Sequence, residues 1–135
     1  MQPRPLDHLV LPTHDLGVAR ERLSALGFTV APEGVHPFGT KNCCVYFADG
    51  TFLEPLAIAD ENAVRRASRS ANVFVSRDAI YRYRLGEEGF SALVFATQDA
   101  LGDHKFFLEE ECSAGPMLEF DRPFVDGEGR RDIAS

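Results

Sequence analysis

The chain has 135 residues, 44% of them hydrophobic, which suits one domain with a buried core and argues against a disordered or disulfide-stapled peptide. Its 21 acidic and 14 basic residues leave a formal net charge of -7 with no block of Lys and Arg, so a phosphate-tracking nucleic-acid surface is excluded. Of the three cysteines, Cys43 and Cys44 are adjacent; they offer neither a disulfide framework nor a paired-cysteine zinc site, and fit reduced thiols in a cytoplasmic protein.

The N-terminal stretch MQPRPLDHLVLPTHD contains only a short apolar run interrupted by Pro12, far short of a signal h-region or a membrane span, so no membrane partner is expected. DHLVLPT, from Asp7, predicts a buried strand that Pro12 ends. A helix follows: Asp15 is its N-cap, Leu16, Ala19, Leu23 and Leu26 fall at helical spacing, and Gly27 sits where a left-handed C-cap belongs. FTVAP, from Phe28, alternates like a strand and gives way to a loop, PEGVHPFGTKN. CCVYFA and TFLEPLAI then predict two strands joined through Asp49-Gly50 in a type I′ turn. Together these elements make a βαβββ module over residues 1–58.

Residues 59–88 alternate Ala, Arg and Ser with a few apolar positions and predict a helical connector, NAVRRASRS and then SRDAIYRYRL from Ser76. GFSALVFATQDA, from Gly89, returns to a buried-strand pattern. Leu9, Val10, Thr13 and Asp15 recur at one constant spacing as Leu93, Val94, Thr97 and Asp99, and Pro32 recurs as Pro116. The fold class is therefore α+β, with paired βαβββ modules, the second spanning residues 89–135 and carrying a less regular helix around LGDHKFFLEEE. At that spacing Ser135 falls short of a counterpart to the strand that carries Glu54, so the second module is expected to be incomplete. A homodimer supplying the missing face, a short protein with an open edge, or a piece of a longer chain each accounts for this.

The start DHLVL…DL…A…LGF and the later HPFGT.N…F.DG.FLE resemble the vicinal oxygen chelate superfamily, within it the glyoxalase-like domain group with a HPxxGTxN-type loop. The resemblance implies half-barrel modules around a cavity for a divalent metal, with ligands from the first and last strand of a module; on this sequence those are His8 and Glu54. It also implies lyase, isomerase or dioxygenase chemistry, or sequestration of a drug-like ligand without chemistry. Strand alternation agrees: Glu54 shares a face with Phe52, Leu56 and Ile58, and His8 shares one with Val10. An imidazole and a carboxylate converging in an apolar cleft suit Mn, Fe, Ni or Zn. The repeat position of His8 is Ala92, which cannot ligate, and no counterpart of Glu54 falls within the chain.

Without metal, a buried Glu54 is a candidate catalytic base whose pKa burial should raise, with His8 as its hydrogen-bond partner. The plainer account of Glu54 is an edge strand in water, or an ion pair with Arg4. His36, Thr40 and Asn42 lie in the glycine-bearing loop, where Thr40 and Asn42 are placed to hydrogen-bond a small oxygenated ligand; turn chemistry alone also explains its Gly and Pro. Tyr81 and Tyr83, two apart on a helix, cannot both face the core, and one of them or Phe74 is expected at a dimer contact. The sequence thus predicts a glyoxalase-like enzyme acting on a small oxygenated metabolite through His8 and Glu54, or a binding protein that sequesters an aromatic or drug-like ligand.

Overall fold

The computed structural model describes residues 3–87, 89–125 and 130–134. In chain order they form β1 (Leu6–Pro12), α1 (Leu16–Ala25), β2 (Gly34–Val35), β3 (Thr40–Asn42), β4 (Val45–Tyr46), β5 (Phe52–Ile58), α2 (Glu61–Arg69), α3 (Val73–Leu85), β6 (Ala92–Phe95), α4 (Ala100–Glu109), β7 (Arg122–Val125) and β8 (Arg131–Ala134). Strands β2, β3, β5, β1 and β6 lie in that order, β4 also pairs with β5, and the curled mixed sheet does not close. β7 and β8 form a separate antiparallel hairpin.

The first helix forms as its residues predict. Asp15 accepts from the backbone N–H groups of Gly17 at 2.7 Å and Val18 at 3.2 Å, satisfying donors the first turn leaves free. At the other end Gly27 takes φ +94°, donating its N–H to Ser24 O while Phe28 donates to Leu23 O, a Schellman arrangement. Leu16 packs with Cys43, Ala57 and Val30 on one face of the sheet.

Three local expectations need correction. FTVAP is not a strand: Arg20 donates to Val30 O at 3.1 Å and Ala31 O at 2.7 Å, taking acceptors that a neighbouring strand would need, and the short β2 begins later, at Gly34. The strand expected from Cys43 starts earlier, at Thr40, which moves Thr40 and Asn42 from a loop onto β3. β3 and β4 pair with β5 in one register, Asn42 opposite Leu56 and Val45 opposite Leu53; between them lies Pro55, which has no N–H for the ladder. Finally, the Asp49-Gly50 turn is not type I′, because only Gly50 has positive φ, +89°. Gly50 donates to Phe47 O, Phe47 donates to Thr51 O, and Asp49 accepts from Thr51 N and Oγ1 at 3.0 and 2.7 Å, a longer hairpin connection with glycine in the left-handed position.

The connector is helical as expected, although α3 begins earlier than Ser76. Arg82 fastens it to the sheet, donating to Thr13 O at 3.0 Å and Leu56 O at 2.7 Å, at the end of the parallel ladder where Pro12 lies opposite Leu56. Val75 is buried beneath it.

Candidate functional site

The parallel register of β1 and β5 sets Val10 opposite Glu54 and His8 opposite Phe52, so His8, Val10, Phe52, Glu54 and Leu56 share one sheet face. The register of β3 adds Thr40 and Asn42 to that face. Glu54 is 4% exposed, and three side chains converge on its carboxylate. His8 Nε2 lies 3.1 Å from Oε2, Asn42 Nδ2 donates to Oε1 at 2.9 Å, and His36 Nε2 lies 3.6 Å from Oε1.

Each partner is itself held. His8 Nδ1 meets Asp7 Oδ2 at 2.7 Å, and its ring stacks on Phe52 with centroids 4.3 Å apart. His36 Nδ1 shares a 2.8 Å hydrogen bond with Thr40 Oγ1, and the His36 ring stacks on Phe38 and meets Phe74 and Phe120 edge-on. The turn that presents His36 depends on Gly39: its φ is +97°, and a Cβ there would come within 2.7 Å of Asp60 O, a position only glycine fills without strain.

The electrostatics correct one expectation. Burial does push the Glu54 carboxyl up, but hydrogen bonds from His8 and Asn42 and the charges of His8 and His36 outweigh it, leaving the pKa lowered. Glu54 is therefore held as a carboxylate. Burial pulls the His8 pKa down, yet its bonds to Glu54 and Asp7 and their charges leave it raised.

The expected site residues thus come together: His8, His36 and Asn42 surround Glu54, and Thr40 reaches it through His36. Arg4 does not pair with Glu54; it pairs with Asp103. The sequence reading missed Asp7, for which adjacency to His8 gave no signal because neighbouring strand residues face opposite ways. It also missed Asp78 and Arg82, whose i,i+4 spacing on a predicted helix was the available signal: Arg82 Nε donates to Asp78 Oδ2 at 2.8 Å, and both are largely buried.

His8 Nε2 and Glu54 Oε2 face each other as hydrogen-bond partners, and among the described residues no group of three or more His, Cys, Asp or Glu is placed to hold a metal ion. These residues alone do not complete a chelate. A cavity of about 1180 Å³ opens beside the cluster, bounded by α3, α4 and residues 113–118. Val10 and Leu56, the next residues along the site face from His8 and Glu54, form part of its wall, whereas His8 and Glu54 do not line it directly.

A curled α+β sheet of this order, with a buried carboxylate at its centre, defines a vicinal oxygen chelate fold. The chain belongs to the glyoxalase-like domain family, whose model matches residues 6–130. Similar solved structures include a Streptomyces coelicolor methylmalonyl-CoA epimerase in complex with 2-nitronate-propionyl-CoA, 19% identical with a TM-score of 0.60 over 91% of this chain and 86% of that one. The Mycobacterium tuberculosis methylmalonyl-CoA epimerase is 19% identical with a TM-score of 0.58 over 82% and 69%. A hypothetical protein from Bacillus halodurans is 13% identical with a TM-score of 0.62 over 98% and 93%. No curated protein matches the chain. Among the described residues no helix is long and apolar enough to cross a membrane.

Proposed function

We propose that this chain is a cytoplasmic glyoxalase-like enzyme that acts on a small oxygenated metabolite by proton transfer, with Glu54 as the base. The observation that carries this reading is the Glu54 carboxylate, buried and kept ionised by His8 and Asn42 beside a cavity on the same face. A fixed carboxylate takes a proton from a carbon next to a carbonyl, and His8, hydrogen-bonded to it, steadies the charge and holds its orientation. His36, Thr40 and Asn42 act as positioning and substrate-binding groups around that carboxylate. The similarity to epimerase structures supports the fold; the reaction is argued from the site. A Mn, Fe, Ni or Zn ion on His8 and Glu54 needs further ligands from outside the described residues, and a second copy docking at the edge strand β6 in a homodimer is one source.

A second reading, capture of a ligand without chemistry, draws on the position of the cavity, whose wall includes Val10 and Leu56 but neither His8 nor Glu54. Solvent deuterium exchange separates the two. A panel of carbonyl compounds, including acyl thioesters, is incubated with the protein in deuterated buffer, and loss of the proton next to the carbonyl is followed by NMR. The wild-type chain should accelerate exchange for at least one compound, and Glu54→Gln should lose about 100-fold or more of that rate while ligand affinity changes little. Binding without exchange in the wild-type chain would leave the capture reading.

A further inference from the structure

The cavity wall contains a group that neither the cluster around Glu54 nor the fold accounts for. Asp78 is 8% exposed; its Oδ2 accepts from Arg82, but its Oδ1 has no hydrogen-bond partner among the described residues. A buried carboxylate oxygen without a donor costs on the order of 1–3 kcal/mol or more. Arg82 reaches the carboxylate through Nε alone; its terminal nitrogens donate to Thr13 O, Leu56 O and Glu87. Burial, helped by the charges of Glu54 and Glu87, leaves the Asp78 carboxyl raised despite Arg82. A ligand hydroxyl answers such a group in either protonation state, since it both donates and accepts.

Two further residues of the same helix point to an anion. Arg77, Tyr81 and Arg84 follow i, i+4, i+7 spacing and all line the cavity, so they form one stripe of α3. In a chain of net charge -7, neither Arg77 nor Arg84 forms an ion pair among the described residues. Seven residues of helix separate their Cα atoms by about 10 Å, within reach of two long side chains closing on one carboxylate or phosphate. The remaining wall is mostly apolar, with Val10, Leu56 and Phe107 in it.

We propose that this cavity binds a mostly apolar hydroxy acid, its anionic group held by Arg77 and Arg84 and its hydroxyl received by Asp78. This deepens the function proposed above and rests on it only in taking the cavity as the place where the substrate of Glu54 sits.

The test is calorimetric titration of the whole chain with three probes: 3-hydroxydecanoate, decanoate and 1,3-decanediol. The hydroxy acid should bind most tightly, with about 5- to 10-fold weaker binding when either the hydroxyl or the carboxylate is missing. The double variant Arg77→Ala/Arg84→Ala, on exposed positions, should reduce 3-hydroxydecanoate to the affinity of the diol and leave the diol unchanged. Asp78→Asn should weaken 3-hydroxydecanoate and leave decanoate unchanged; because Asp78 anchors Arg82, the comparison of probes on the wild-type chain tests the hydroxyl without any substitution. No binding at millimolar concentration, or a ranking indifferent to either group, overturns the proposal. Deuterium exchange without binding of these probes would sink the hydroxy-acid site and leave Glu54 chemistry standing. The expected ranking without exchange would do the reverse.

Discussion

The two strand-to-helix units, β1 with α1 and β6 with α4, follow one local plan and reach different ends. In each, a threonine hydroxyl accepts from the N–H of an aspartate two residues on, Thr13 from Asp15 at 3.4 Å and Thr97 from Asp99 at 3.1 Å. Each aspartate then caps its helix, Asp15 through Gly17 and Val18, Asp99 through Gly102 at 2.8 Å. The surroundings differ. β1 lies between β5 and β6, and its Val10 is 2% exposed, whereas among the described residues β6 pairs with β1 alone, and its Leu93 is 63% exposed. α1 buries Leu16; α4 buries no residue. The repeat is thus a repeat of local signals, and burial depends on what stands next to each copy. The chemistry follows burial: His8 meets Glu54 in the first unit, and Ala92 occupies the repeat position of His8 in the second.

Substitutions on β5, which covers one side of the first unit's strand, and on β6 of the second unit should differ most sharply at the core. Leu56→Ala, at 1% exposure, should cost about 2–5 kcal/mol in urea unfolding, while Leu93→Ala should stay within about 0.5 kcal/mol. An equal loss at Leu93 would mean that β6 is covered in solution, and light scattering of the same samples would show whether a second copy covers it.

The caps should differ less in size than in where the loss is felt. Asp15→Ala should lower global stability by about 1 kcal/mol. Asp99→Ala should remove a similar amount of amide protection from α4 while moving the global transition less, since that helix carries no buried residue. Loss of global stability from both variants alike would show that α4 is as firmly docked as α1.

The smallest effect should lie in the pH dependence. His8 binds its proton more tightly in the folded chain, so its contribution is complete below the unfolded value of about 6.5 and is lost as pH rises through the raised folded value. Glu54 has the opposite sign: its contribution is present above its ordinary value of 4.5 and is lost as pH falls through the lowered folded value. Unfolding curves across the acid and alkaline limbs should therefore fall on both sides, and His8→Gln should flatten the alkaline limb. A limb unchanged in that variant would mean that His8 and Glu54 are not paired.

Much of this was legible from residues alone. The β1–α1 unit, the strand carrying Glu54, the helical connector and the second helix all followed from capping residues, periodicity and the repeat, because those signals act within a few residues of chain. The strand at Phe28 failed because Arg20, eight residues earlier, took its carbonyls. The pKa of Glu54 failed in sign because its three partners come from β1, β3 and the turn holding His36, and only the sheet register brings them together.

By itself the sequence determined which elements form and which face of each strand is apolar, since backbone geometry and side-chain alternation are local properties. Only the tertiary structure decided that Glu54 is surrounded rather than solvated, that one oxygen of Asp78 has no hydrogen-bond partner among the described residues, and that a cavity opens beside them. Those outcomes depend on distances between residues far apart in the chain, and they exist only once the sheet order and the seat of α3 are set.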